Sequence, residues 1–230
     1  MRITSIVFDL DDTLYLEQDY VRSGIRAVGE WFAKRTGITE FAETAERLWG
    51  AGRRQMLFDA TLQDMGIANS QAMIHELVET YRNHPPVIAL ANDALDLLAS
   101  GSEYRFALIT DGIASTQRQK IEALGLSRFG FDPIIATGDL GIGFHKPHRR
   151  AFEAVMESHR IESSAIVYVA DNPAKDFLAP KALGWRTIQI DRPAAVHPRT
   201  PPDPDHAAEA HITTLADLHA TLQYLLDVRR

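Results

Sequence analysis

The sequence predicts an α/β protein: a doubly wound parallel sheet with a helical bundle inserted after the first strand. Three observations carry this. Short apolar runs end abruptly in polar residues, first in Ile3–Leu14, ITSIVFDLDDTL. From Asn92 onward, strand-like and helix-like segments alternate. Between them, Glu17 to Asn83 contains no proline and spaces its apolar residues at helical intervals.

Ile6, Val7 and Phe8 form a continuous apolar run, which suits a strand covered on both faces, as in a parallel sheet. The run stops at Asp9, with Asp11 and Asp12 close behind. Strand alternation would put Asp9 and Asp11 on one face, able to converge on one ion or phosphorus centre. Ligands of such sheets bind beyond the carboxyl ends of the strands, where these residues would lie. Like charges this close oppose one another's ionisation unless a cation is held between them. Asp-Asp-Thr equally fits a cap cluster for the next helix.

In the inserted stretch, Val21, Ile25, Val28, Trp31 and Phe32, then Phe41, Ala45 and Leu48, then Met56, Leu57, Leu62 and Met65 recur at helical spacing. Gly37 and Gly66 mark stops, Thr39 and Asn69 or Ser70 mark starts, and His84-Pro85-Pro86 closes the segment. Three or four helices are expected. Beyond them the pattern predicts a helix at 92–99, a strand at 105–110, a helix at 115–124, a strand at 133–137, a helix at 147–159, a strand at 165–170, a helix through Leu183 and a strand at 185–190. Strands alternating with helices argue for parallel strands joined by right-handed crossovers. Asp191 to Asp205 is proline-rich and reads as an exposed loop, long enough to be either functional or mobile. A short edge strand at 210–213 and an amphipathic helix at 215–226 follow.

At 230 residues the chain can bury a substantial core, and its 45% hydrophobic and 24% charged residues are those of a globular protein. The net charge of −7 comes with no basic block or tail, so no nucleic-acid partner is expected. The absence of cysteine removes disulfides, thiolate nucleophiles and zinc–thiolate sites together. No apolar stretch reaches spanning length and Asp9 interrupts the first run too early for a signal peptide, so a cytoplasmic protein without a membrane partner is the expectation. Nothing in the sequence sets an oligomeric state.

Three further strand ends or loops carry chemistry. Thr110-Asp111-Gly112 offers a hydroxyl, a flexible glycine and amides ahead of a helix, which makes an anion site or an ordinary turn and cap. Lys146-Pro147 follows a glycine-bearing stretch. Proline suits a first helical turn, whereas a lysine joining the positive end of a helix is explained by a nearby anion or by solvation. His145 and His148 flank it without ligand-spaced neighbours and are expected to be exposed. Finally, the run Val167–Ala170 ends in Asp171, with Asp176 five residues on at the start of the next expected helix, where a contact with the positive end of the helix is explanation enough for Asp176 alone.

Four such sites in this order resemble the haloacid-dehalogenase-like superfamily of phosphatases and phosphotransferases. Asp9-Leu10-Asp11-Asp12-Thr13 matches its first motif, Thr110 in LITDG the second, Lys146 in HKP the third, and Asp171 and Asp176 in VADNPAKD the fourth. The resemblance implies a Rossmann-like core over 1–14 and 86–230, and a C1-type helical cap domain over 15–85 that closes over the site. It implies Asp9 as nucleophile forming an aspartyl-phosphate, and Asp11 as general acid and then base. Thr110, Asp111, Gly112 and Lys146 would hold the phosphoryl group. Magnesium would be bound by Asp9, the Asp11 main-chain carbonyl and Asp171, with Asp176 anchoring the site or binding through water. Tyr15 and the residues after it, with Arg22, Arg53 or Arg54, could contact the leaving group, although for each arginine a solvated helix face is the better reading.

The expected activity is hydrolysis of a small phosphorylated metabolite, of sugar phosphate or nucleoside monophosphate type. Phosphotransfer or mutase chemistry on the same fold, and a non-catalytic interaction protein that retains it, are the alternatives. A receiver module would place its phosphorylated aspartate on a later strand, and a dehalogenase would need neither Asp11 nor the metal set. Ala170, His148 and Asp111 depart from residues common in the family, and the loop after Asp191 is not something it requires.

Overall fold

The computed structural model describes residues 2–101 and 103–227. The chain divides into two compact units, one holding the residues up to Gln18 and from Ala89 onward, the other Asp19–Ile88. These boundaries differ from breaks after Leu14 and Tyr15–Pro85, for local reasons. Tyr15 is fully buried and Glu17 donates its amide to Asp12 at 2.8 Å, which keeps 15–18 with the sheet. Val87 donates its amide to Ser23 at 2.8 Å, which keeps 86–88 with the helices.

In the first unit six strands are described: β1 (Ser5–Phe8), β2 (Arg105–Thr110), β3 (Ile134–Ala136), β4 (Ile166–Ala170), β5 (Arg186–Ile190) and β6 (Ala210–Ile212). They run in the order β3-β2-β1-β4-β5-β6, every pair parallel. β1 is central, with Ser5 opposite Arg105 on one side and Ile166 on the other. All its residues are buried, as the unbroken apolar run requires.

Alternation divides its side chains between the two faces. Val7 packs with Ala151, Phe152, Val155, Phe177 and Trp185 in one core cluster, and the Phe8 ring meets Phe106 and Phe131 in another group. Burying one Phe-sized side chain contributes about 1.5–3 kcal/mol, so the central strands anchor the unit.

Helices in the two units are α1 (Glu17–Thr36), α2 (Phe41–Gly50), α3 (Leu57–Asp64), α4 (Gln71–Asn83), α5 (Asn92–Ala99), α6 (Ala114–Ala123), α7 (Arg150–His159), α8 (Leu178–Ala182) and α9 (Leu218–Asp227). The second unit is held by one cluster built from Val21, Ile25, Val28 and Phe32 of α1, Phe41 and Ala45 of α2, Phe58 and Leu62 of α3, and Leu77 of α4. Gly29 permits the close approach of α1 and α2, since a Cβ there would stand 2.6 Å from that of Ala42. Ser70 caps α4 by accepting the Met73 amide at 3.2 Å. Met56 breaks the expected apolar pattern. It takes a left-handed conformation just before α3 and is 71% exposed.

Two expected helix starts move. α7 begins at Arg150, not Pro147, and α8 begins at Leu178, after Asp176. The chain around both motifs is turned inward by the contacts of Lys146 and Asp176, so neither residue belongs to a helical first turn. The proline-rich stretch after Asp191 has no regular structure before Pro204, yet it is not a loose excursion. Arg192 is buried, bonding Asp93 at 2.7 and 2.9 Å and the Thr13 carbonyl at 2.8 Å. No helix among the described residues is long and apolar enough to cross a membrane.

Candidate active site

The site is assembled at the carboxyl ends of the three central strands, beside the point where successive strands lie to either side of β1. Asp9 follows β1 and donates its amide to Val169 at 2.9 Å, Thr110 closes β2, and Asp171 follows β4. Asp9, Asp171 and Asp176 are all buried, and each offers a carboxylate oxygen within 4.8 Å of the others.

Lys146 lies among them, its side chain wholly enclosed, with Nζ 3.0 Å from Asp9 Oδ1 and 2.7 Å from Asp176 Oδ1. Nζ also donates to the Tyr168 hydroxyl at 3.0 Å. The solvated lysine that a lone Lys-Pro permits is therefore excluded. Burial opposes its charge, but Asp176 and Asp9 outweigh that and hold the ammonium well above the usual lysine range.

One lysine does not balance three carboxylates. Burial pushes Asp9 up to about 6 against the pull of Lys146. Burial, then the charges of Asp9 and Asp176, push Asp171 up to about 9. Asp171 Oδ2 is buried with no hydrogen-bond partner among the described residues. Asp176 uses both oxygens, one on Lys146 and the other accepting the Asn172 amide at 2.9 Å. Hard oxygen donors in excess of nearby cations, one of them orphaned, fit a divalent cation held by Asp9 and Asp171 with Asp176 behind them. Leaving such charge buried and unpaired costs several kcal/mol.

Asp11 follows in the next turn, close enough for its charge to act on Asp9. β1 ends at Phe8, so Asp11 lies in the following turn and strand alternation does not extend to it. Its Oδ1 pairs with Lys120 Nζ at 2.7 Å and accepts the Tyr15 hydroxyl, while Oδ2 accepts Gln117 Nε2 at 3.0 Å. Burial would raise its pKa, but Lys120, Tyr15 and Gln117 together hold it below the usual carboxylate range. Tyr15 is thus a buried donor to Asp11.

The Thr110 hydroxyl is buried and has no partner among the described residues, as a group awaiting a ligand would be. Gly112 has φ +130, and a Cβ there would stand 2.9 Å from the Gln117 amide nitrogen. Asp111 does not present a free carboxylate. It accepts from Thr137 Oγ1 at 2.7 Å and the Lys146 amide at 3.1 Å, and lies 3.4 Å from Lys175 Nζ. Its side chain fastens the Lys146 loop, and an anion here would meet its backbone only. His145 and His148 are exposed, as are Arg22, Arg53 and Arg54 in the helical unit.

Sequence reasoning missed Gln117, Lys120, Tyr168 and Lys175. Gln117 and Lys120 are three apart on α6 and so share a face, the one signal that could have flagged them. Both are almost fully buried although α6 is otherwise polar.

Comparison with known proteins agrees with this geometry. Residues 6–190 match the family described as haloacid dehalogenase-like hydrolase. A phosphoserine phosphatase of Thermus thermophilus is 27% identical over 172 residues, 74% of this chain and 65% of that protein, so the match spans just under two thirds of that relative's length. A glyceraldehyde 3-phosphate phosphatase of Methanocaldococcus jannaschii is 27% identical over 199 residues, 82% of this chain and 85% of that protein. Among solved structures, YfnB of Bacillus subtilis bound to magnesium superposes with a TM-score of 0.65 at 20% identity, covering 96% of this chain and 99% of its own. A 2-haloacid dehalogenase of Pseudomonas syringae also superposes with a TM-score of 0.65, at 23% identity over 97% of this chain and 99% of that one. Fold, motif order and family match agree: this chain belongs to the haloacid dehalogenase-like hydrolases.

Proposed function

We propose that the protein is a magnesium-dependent phosphomonoesterase that hydrolyses a small phosphorylated metabolite through an aspartyl-phosphate on Asp9. The observation that carries this is the excess of buried carboxylate over lysine at Asp9, Asp171 and Asp176, with Asp171 Oδ2 unpartnered. Phosphatases among the relatives support the substrate class.

Magnesium held by Asp9, Asp171 and the Asp11 carbonyl would draw charge from the phosphoryl oxygens and relieve the repulsion around the nucleophile. A carboxylate oxygen of Asp9 attacks phosphorus as the ester P–O bond breaks. Asp11, in its protonated form, gives the leaving oxygen its proton. Asp11 then takes a proton from water, the water oxygen attacks the aspartyl-phosphate, and inorganic phosphate leaves with Asp9 restored. Thr110 donates to a phosphoryl oxygen, and Lys146 balances charge on Asp9 and phosphate. Lys120 favours ionised Asp11, which suits the base half of the cycle; the acid half requires that Asp11 release it.

The test is phosphate release from a panel of phosphorylated metabolites, with magnesium and with chelator, by the parent and by Asp9→Asn. Release by the parent in magnesium that falls at least about a thousandfold in Asp9→Asn is expected. Release that persists in Asp9→Asn would exclude the covalent route, and no release from any ester would favour an interaction protein that keeps the fold.

A further inference from the structure

The stretch after Asp191 is absorbed by none of the roles above, yet it is tied to the site at three points. Arg192 grips the Thr13 carbonyl and Asp93, and Arg199 donates back to the Arg192 carbonyl at 2.6 Å. Between them the Val196 amide donates to Asp12 Oδ2 at 2.7 Å. The other oxygen of the same carboxylate accepts the Glu17 amide at 2.8 Å. Asp12 is fully buried and left-handed, with φ 49. One carboxylate therefore fixes two segments distant in sequence, and brings the anchored residue of one face to face with the neighbour of the anchored residue of the other.

Those residues are Glu17 and His197. His197 Nε2 stands 4.0 Å from Glu17 Oε2, too far for a direct hydrogen bond and near enough for a single oxygen to reach both. The side chains remain 41% and 28% exposed, so a solute can reach them, in contrast to the enclosed Lys146. Burial and the charge of Lys175 hold the imidazole below the usual histidine range, which leaves it neutral with one N–H to give. Glu17 lies within the fields of Asp11 and Lys120, and His197 within those of Asp11 and Asp12. Asp12, which anchors both segments, is the neighbour of Asp11, and Tyr15, two residues before Glu17, bonds the Asp11 carboxylate, so the pair lies on the segments that flank the proposed acid, on the side where the alcohol would leave.

We propose that His197, with Glu17, is a specificity-determining contact to the alcohol part of the substrate, selecting phosphomonoesters with a hydroxyl on the carbon next to the ester carbon. That hydroxyl would donate to Glu17 and accept from the imidazole N–H. The inference rests on the phosphatase reading. It adds a recognition element from the proline-rich stretch that the family motifs do not include.

The test compares kcat/KM in magnesium for glycerol 1-phosphate and for 3-hydroxypropyl phosphate, which lacks only the adjacent hydroxyl. The parent should prefer the glycerol ester by at least about tenfold, since the other ester leaves polar groups of the pocket unpaired. His197→Ala should collapse the preference to about threefold or less through KM for the glycerol ester, and His197→Gln, which retains an N–H donor, should restore part of it. A parent without preference, or a His197→Ala variant that loses both esters equally, would overturn the inference while leaving the phosphatase reading intact. A parent that releases phosphate from neither ester nor p-nitrophenyl phosphate would overturn both.

Discussion

Two carboxylate environments stand side by side at the ends of the central strands and are built on opposite principles. Around Lys146, Asp9 and Asp176 share one ammonium with only the field of Lys175 to help, and Asp171 beside them keeps an oxygen without a partner among the described residues. Around Asp11, one carboxylate is served by Lys120, Gln117 and Tyr15, so both of its oxygens are satisfied. The first is short of positive charge and the second is amply supplied with it. On the proposed function, the difference assigns the cation to the carboxylates of Asp9 and Asp171 and leaves the Asp11 side chain to proton transfer.

The largest effect is expected from removing the lysine that the first environment depends on. Lys146→Met leaves Asp9 and Asp176 without their shared partner. Breaking a buried ion pair on one side costs about 3–5 kcal/mol, so calorimetry in metal-free buffer should show Tm lower by about 10 °C or more. A Tm equal to the parent's would mean that the cluster carries less charge than its geometry implies.

Asp171→Asn should act in the other direction. The native pKa of Asp171 is pushed up to about 9, while the unfolded chain ionises near 3.9. Between these values the native state keeps a proton that the unfolded state releases, so this group's contribution to stability falls as pH rises through that window. Removing the ionisable group should raise the metal-free Tm at pH 8 by about 3 °C or more and abolish any gain from magnesium. A fall in Tm would show Asp171 to be satisfied already.

Much of the first environment was legible in the sequence, and little of the second. Asp9 and Asp171 announce themselves because an apolar strand gives way to a carboxylate, which burial makes costly without a function. Lys146 could be suspected only from its company, and its exposure could not be read, because the inward turn of its loop depends on Asp176 from a distant segment. Lys120 and Gln117 sit in a polar helix of ordinary pattern, and Tyr168 reads as one more apolar strand residue. Their roles exist only once α6 and β4 are set beside β1. The partners of Asp11 were not legible, because β1 ends at Phe8 and alternation does not reach the turn that carries it. The sheet itself was the most legible part, since each of its strands is a short apolar run bounded by polar residues.

The second environment is sharpened by Lys120→Met. It should lower kcat by about ten- to a hundredfold by releasing Asp11 from its position, while the Tm gain from magnesium stays as in the parent. Loss of that gain would merge the two environments into one.

A smaller effect comes from the amino end of the sheet, where His159 bonds Ser5 Oγ at 2.9 Å and the Asp132 carbonyl. Burial lowers its pKa below 6.5, so the unfolded state takes up the proton first and this stabilising contribution is lost as pH falls through the lowered native value. His159→Gln should therefore flatten the decline of Tm between pH 7 and 5 by about 1–2 °C. An unchanged pH slope would show that the decline comes from the carboxylates alone.

The claim on which the account turns is that a divalent cation completes the cluster at Asp9 and Asp171. Calorimetric titration of the metal-free protein with magnesium tests it most directly. The account predicts binding at one site per chain, abolished in Asp171→Ala and retained in Lys120→Met. Binding by Asp171→Ala with the parent's affinity would contradict it.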